Sequence, residues 1–179
     1  MNLEKFLGSK TKSDIIKYLV FKRQWVSMRA LEQELDWTFP AIKKQIDSLQ
    51  ESDVLVINKS AQAWSIELDP LVAPMITQMI IVTLKQACEK LINIYSVMIS
   101  ICYYGRLFGI QIDQDLVILY KHSDPQCLEQ VKKELDVILH SFFIDHASVV
   151  FMSEDEFRKR INVSDKFALS IVRAQSGIR

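Results

Sequence analysis

Three short helical patterns, separated by turns of a few residues and followed at once by two β-branched runs, constrain the first seventy residues of this chain more tightly than anything in its composition. Ile16, Leu19 and Val20 form an apolar stripe at helical spacing, which predicts a first helix over Ser9 to Lys22. Ser27 is placed to cap a second helix, Met28 to Leu35, in which Leu31 and Leu35 stand four apart. Asp36 and Trp37 make the turn. Thr38 is the N-cap of a third helix, although Pro40 then falls at the second helical position and not the first, where proline is most favoured. Within that helix Ile42, Ile46 and Leu49 sit at i, i+4 and i+7, which is one buried face. Val54 to Ile57 and Trp64 to Leu68 then read as strands on either side of the polar stretch Asn58 to Gln62, so a hairpin follows the helices.

Three helices followed by a hairpin is the order of a winged helix-turn-helix, a domain that docks on double-stranded DNA. In such a domain the first residues of the third helix reach base edges in the major groove. With Ile42, Ile46 and Leu49 inward, Ala41, Lys43, Lys44, Gln45 and Ser48 are left outside or at the margins. Gln45 has the amide that pairs with adenine, and Lys43 or Lys44 the ammonium for guanine or phosphate. Thr38 and the amides at the helix start are candidates for a phosphate. Lys59 near the hairpin tip and Arg29 on the second helix complete the candidate set, with Lys10, Lys12, Lys22 and Arg23 as further phosphate contacts. The competing reading is a protein-interaction module, which winged helices also form. The runs FLGSKTKSDIIKYL and WVSMRALEQELDWTFPAIKKQIDSLQESDVLV resemble the ArsR-like winged-helix regulators of prokaryotes. The resemblance implies a transcriptional regulator. It does not bring metal sensing with it, because the metal-sensing branch uses cysteine pairs and this segment has none.

The 22 Lys and Arg balance 22 Asp and Glu, so a DNA reader of this kind depends on a local basic patch rather than on overall charge. Cys88, Cys102 and Cys127 lie far apart with no CxxC pair, so a zinc site is not expected and free thiols in a reducing cytoplasm are. His122, His140 and His146 show no ligand spacing. No metal and no cofactor is expected. The most apolar stretch, Met75 to Leu84, is too short to span a bilayer, which predicts a cytoplasmic protein with no membrane partner.

Pro70 and Pro74 punctuate the chain and mark a boundary. The reading is an α+β protein in three parts: a winged helix-turn-helix over residues 1–70, a long linking helix over 71–97, and a small α/β domain over 98–179. The linking helix is apolar on more than one side, through Met75, Met79, Ile80, Leu84, Cys88, Leu91 and Tyr95. It therefore forms either a homodimer contact or the packing between two domains. Strands are expected at ISICYYG, Asp115 to Lys121 and Ala147 to Met152. Asp124 caps a helix with Leu128, Val131, Leu135, Ile138, Leu139 and Phe142 on one side. Ser153 to Glu156 is a capping box, and Asp165 to Ala174 a last amphipathic helix.

The segment YYGRLFGIQIDQDLVILYKHSD has a strand ending at glycine, a connection, and an Asp-x-Asp pair. With VVFMSEDEFRKRI and DKFALSIVRAQ it resembles the minimal nucleotidyltransferase domain of the polymerase-β superfamily. In that family a Gly-Ser turn holds nucleotide phosphates and the Asp-x-Asp binds two magnesium ions. Gly105, Asp113 and Asp115 match those positions. Arg106 stands where the motif serine belongs, the connection is short, and Ser148 occupies the place of the third carboxylate, with Asp145 just outside the strand. A two-metal site needs enough carboxylate to hold both ions. The resemblance therefore implies a domain that is not an enzyme, with Gly105, Arg106, Asp113 and Asp115 as a vestigial nucleotide site. For Arg106 the alternatives are phosphate sensing and a plain surface arginine. The whole is read as a sequence-specific DNA-binding transcriptional regulator that homodimerises. The alternatives are an active metal-dependent nucleotidyltransferase and an antitoxin-like partner of a small helical protein.

Overall fold

The computed structural model describes residues 3–59, 64–121 and 124–176, with Lys59 and Ser176 described by their backbone alone. The protein is α+β with two three-stranded sheets, and it divides into two compact units, residues 1–84 with 141–144 and residues 85–140 with 145–179.

The first unit runs α1 (Leu3–Leu7), α2 (Lys10–Phe21), β1 (Trp25–Val26), α3 (Met28–Leu35), α4 (Phe39–Glu51), β2 (Leu55–Lys59), β3 (Trp64–Leu68) and the beginning of α5 (Ala73–Ile94). Ser9 Oγ accepts from the Lys12 amide at 3.4 Å and Ser27 Oγ from the Ala30 amide at 3.2 Å, so two of the helices begin at serine caps. Asp36 ends α3 in the left-handed region, φ +53°, which a short polar side chain tolerates better than a branched one. Ile42, Ile46 and Leu49 are buried, with Ile15, Ile16, Leu19, Leu31 and Leu35 from the neighbouring helices and Val26, Leu55 and Ile66 from the sheet. The sheet order is β1–β3–β2, all antiparallel, with Ile57 opposite Ile66 and Val26 on its other side. Two-residue β1 escapes sequence analysis because it is too short to show alternation.

Phe142 is a correction. Its spacing assigns it to the helix that begins after Asp124, but that helix, α6 (Pro125–His140), ends two residues earlier. Residues 141–144 belong to the first unit. Phe142 meets Phe21 edge-on at 6.2 Å and Phe143 meets Tyr18 at 5.6 Å. Lys17 Nζ donates to the Ser141 carbonyl at 3.2 Å and lies 4.8 Å from the Phe142 ring centre. Edge-on ring pairs of this kind are worth about 1 kcal/mol beyond their area.

The second unit comprises the rest of α5, β4 (Ile99–Tyr104), a 3₁₀ turn (Arg106–Phe108), β5 (Leu116–Tyr120), α6, β6 (Val149–Ser153), α7 (Glu154–Asn162) and α8 (Lys166–Ser176). The central strand is β5, antiparallel to β4 and parallel to β6, with α6 in the crossover. Leu116, Val117, Ile118 and Leu119 are all buried, so both faces of β5 are covered. Val117 and Leu119 pack with Ile112, Met152, Phe157, Ala168 and Ile171. Ser153 Oγ accepts from the Glu156 amide at 3.2 Å, so the capping residue read from the sequence opens α7. Of the apolar residues expected on more than one side of α5, Met75 is 69 % exposed, and the buried face begins at Ile76 and continues through Ile80, Leu84, Cys88 and Leu91.

Candidate nucleic-acid interface and the Asp115 corner

The rotation of α4 is set by its buried face, and its outer residues follow from that. Lys43 and Lys44 are exposed, while Ala41, Gln45 and Ser48 are half-buried at the margins. Ser48 is already engaged, since its hydroxyl accepts from Lys12 Nζ at 2.8 Å. Arg29 is exposed on the first turn of α3. Among the described residues Lys43, Lys44 and Arg29 form no ion pair. The Lys59 side chain, residues 60–63 of the hairpin connection and His122 lie outside the described residues.

The start of α4 departs from the expected phosphate site. Thr38 is exposed and its hydroxyl makes no capping bond. The Phe39 amide donates to Glu32 Oε1 of α3 at 3.2 Å, and Pro40 has no amide hydrogen. A carboxylate thus sits where an anion would bind, and two of the first three amides are spent or absent. Three further residues on this helix carry a pattern that the sequence reading missed. Phe39, Asp47 and Glu51 join Lys43 at successive i+4 steps, a row that winds about 120° around the helix. Phe39 is 41 % exposed, and Asp47 and Glu51 are exposed. A shallow concavity runs along this side from Pro40 to Glu51. The outer face is therefore apolar in its first turn, basic in its second and acidic beyond. The i+4 spacing is the signal that could have revealed this gradient.

In the second unit Asp115 is buried, one residue ahead of β5. Its carboxylate accepts from the Ser148 amide at 2.8 Å, and both its oxygens face Arg106, Nε and Nη2 each at 3.4 Å. The Asp115 amide donates in turn to the Ser148 carbonyl at 2.9 Å. Asp113 is exposed in the preceding bend and takes no part. The two aspartates expected to act as a pair therefore have different surroundings. Gly105 has a steric reason to be glycine: a Cβ there would stand 1.9 Å from the Gln114 carbonyl oxygen. The nearby amides are used internally, Gly105 to Asp115 O, Arg106 to Gln114 O, Phe108 and Ile110 to Gly105 O, and Gly109 to Arg106 O. A phosphate cradle needs such amides converging outward. Here they close the loop on itself.

Cys88 and Cys102 are each pushed up to about 12, first by burial and then by neighbouring acidic groups, Glu89 for Cys88 and the Cys88 thiol for Cys102. Thiols held this far up are poor nucleophiles at neutral pH. Burial also raises Tyr104, with the Cys102 thiol next in effect. Among the described residues no group of three or more His, Cys, Asp or Glu is placed to hold a metal ion, and no helix is long and apolar enough to cross a membrane.

No family model matches the chain, and no curated protein or solved structure matches it either. The functional reading therefore stands on the residues themselves.

The Asp115 corner yields a stability prediction. Asp115→Ala leaves the Ser148 amide without its acceptor and should cost about 2 kcal/mol, the worth of a hydrogen bond to a charged group. Arg106 is 69 % exposed in its side chain, so Arg106→Ala should cost less than about 1 kcal/mol. Urea unfolding of both variants checks the order, and an equal or reversed loss would contradict this account of the corner.

Proposed function

We propose that this protein is a sequence-specific regulator that binds double-stranded DNA through its first unit, a winged helix-turn-helix with α4 as recognition helix. The observation that carries the reading is the pair Lys43 and Lys44, exposed and without ion partners among the described residues, on a helix held by three buried residues. The helix order, the hairpin and the sheet order β1–β3–β2 support it. Lys43 and Lys44 supply phosphate or guanine contacts, Gln45 reaches from the margin, and Arg29 anchors the backbone from α3. Thr38 is a weaker candidate than its position implies, because Glu32 lies beside it. Replacing Lys43 and Lys44 together by alanine should lower affinity for a selected duplex. It should also flatten the slope of log affinity against log salt by about 0.9 for each phosphate no longer neutralised. Fluorescence anisotropy across a salt series measures both, and an unchanged slope with unchanged affinity would exclude α4 as the DNA-contacting helix.

The second unit is proposed as a nucleotidyltransferase-like domain without catalysis. The supporting observation is that Arg106 and the Ser148 amide take up Asp115, the carboxylate a metal would need. An arginine at this distance supplies the positive charge that a cation would otherwise bring. Purified protein incubated with magnesium and labelled nucleotide should transfer no label to itself or to nucleic acid. Transfer abolished by Asp115→Asn would restore the enzyme reading.

A homodimer is proposed as the assembly that reads two half-sites. Leu71, Met75 and Val82 are 90 %, 69 % and 39 % exposed, at the entrance to α5 and along one side of it. Exposed apolar side chains in a row favour a protein partner. Light scattering at micromolar concentration should give twice the chain mass, and a strict monomer would rule this out.

A further inference from the structure

The first turn of α4 is the least expected part of the interface, because two of its first three amides are spent or absent and yet it lies next to two lysines that form no ion pair among the described residues. Phe39 is 41 % exposed, Pro40 is exposed, and the half-buried Ala41 follows. The Phe39 amide is bonded to the Glu32 carboxylate, so the amide is occupied and a negative side chain stands beside it. Beyond the lysines the same row turns acidic at the exposed Asp47 and Glu51, which disfavours a phosphate backbone there. Only the first two turns suit a duplex, and the first of these is apolar.

We propose that this turn reads thymine, with the Phe39 ring in contact with the C5-methyl group in the major groove while Lys43 and Lys44 hold the adjoining backbone or guanine. The methyl is the one apolar feature on a major-groove base edge, and apolar side chains are its normal partners. A helix start that presented amides would favour a phosphate. This one presents an aromatic ring and a proline. The inference rests on the DNA-binding reading and adds to it a base preference and the residue responsible.

The test begins with selection of bound duplexes from a random pool by the full chain. Each thymine of the selected site is then replaced in turn by deoxyuridine, which removes the methyl group and nothing else. One or two positions should lose about fourfold in affinity, the worth of a single buried carbon group. In Phe39→Ala that difference should vanish, while in Lys43→Ala it should persist on a weaker background. Phe39→Leu, which keeps an apolar side chain, should retain part of it. Because Phe39 is exposed, circular dichroism of the variants should match the parent. If selection succeeds but deoxyuridine is tolerated everywhere, or Phe39→Ala leaves the difference intact, the thymine reading falls and DNA binding stands. If no sequence is enriched over the starting pool, both fall, and the apolar turn belongs to a protein contact.

Discussion

The burial of Ile42, Ile46 and Leu49 is the constraint on which the first unit depends. Each such side chain contributes about 1.5–3 kcal/mol when taken from water into a packed interior. An exposed ion pair contributes at most about 1 kcal/mol. The hydrophobic face therefore decides how α4 is rotated, and the charges take whatever positions remain. Lys43 and Lys44 point outward because their neighbours in sequence point inward, and Ser48 comes within reach of Lys12 for the same reason. The sheet and the two preceding helices supply the other side of this core, and the caps at Ser9 and Ser27 set where those helices begin.

A different constraint governs the second unit. Its central strand is covered on both faces, and a buried charged group, Asp115, stands at the end of the sheet beside Gly105 and Ser148. There the chain approaches itself so closely that only glycine fits at residue 105. The loop satisfies its own amides, and the buried aspartate is held chiefly by a backbone N–H, with an exposed arginine alongside. A buried carboxylate left alone would be costly. The corner solves that problem with protein groups. This is why the site resembles a metal clamp in sequence while its contacts are those of a structural staple.

The outer side of α4 holds more than its linear pattern reveals. The lysines are legible because the apolar stripe fixes which residues are left over. The character of the helix start is not, because it depends on Glu32, seven residues from Phe39 and on another helix. Phe39 looks like an ordinary core residue until the neighbours that fail to cover it are known. Asp47 and Glu51 are visible in the sequence, and their i+4 spacing from Lys43 marks the acidic end of the face.

What the sequence determined by itself was local: helices α2, α3 and α4 with the serine cap at Ser27, the hairpin, the buried stripe of α4, and the opening of α7 at Ser153. These depend on spacing within one or two turns and on side chains bonding to nearby amides, so a short window contains the physics. Only the tertiary structure decided the pairing of two-residue β1, the placement of Phe142 and Phe143 against α2, the capture of the Phe39 amide by Glu32, and the closing of Arg106 and Ser148 on Asp115. Each of these joins groups that no periodic pattern connects. Their partners are chosen by packing, and packing is set only when the whole chain has folded.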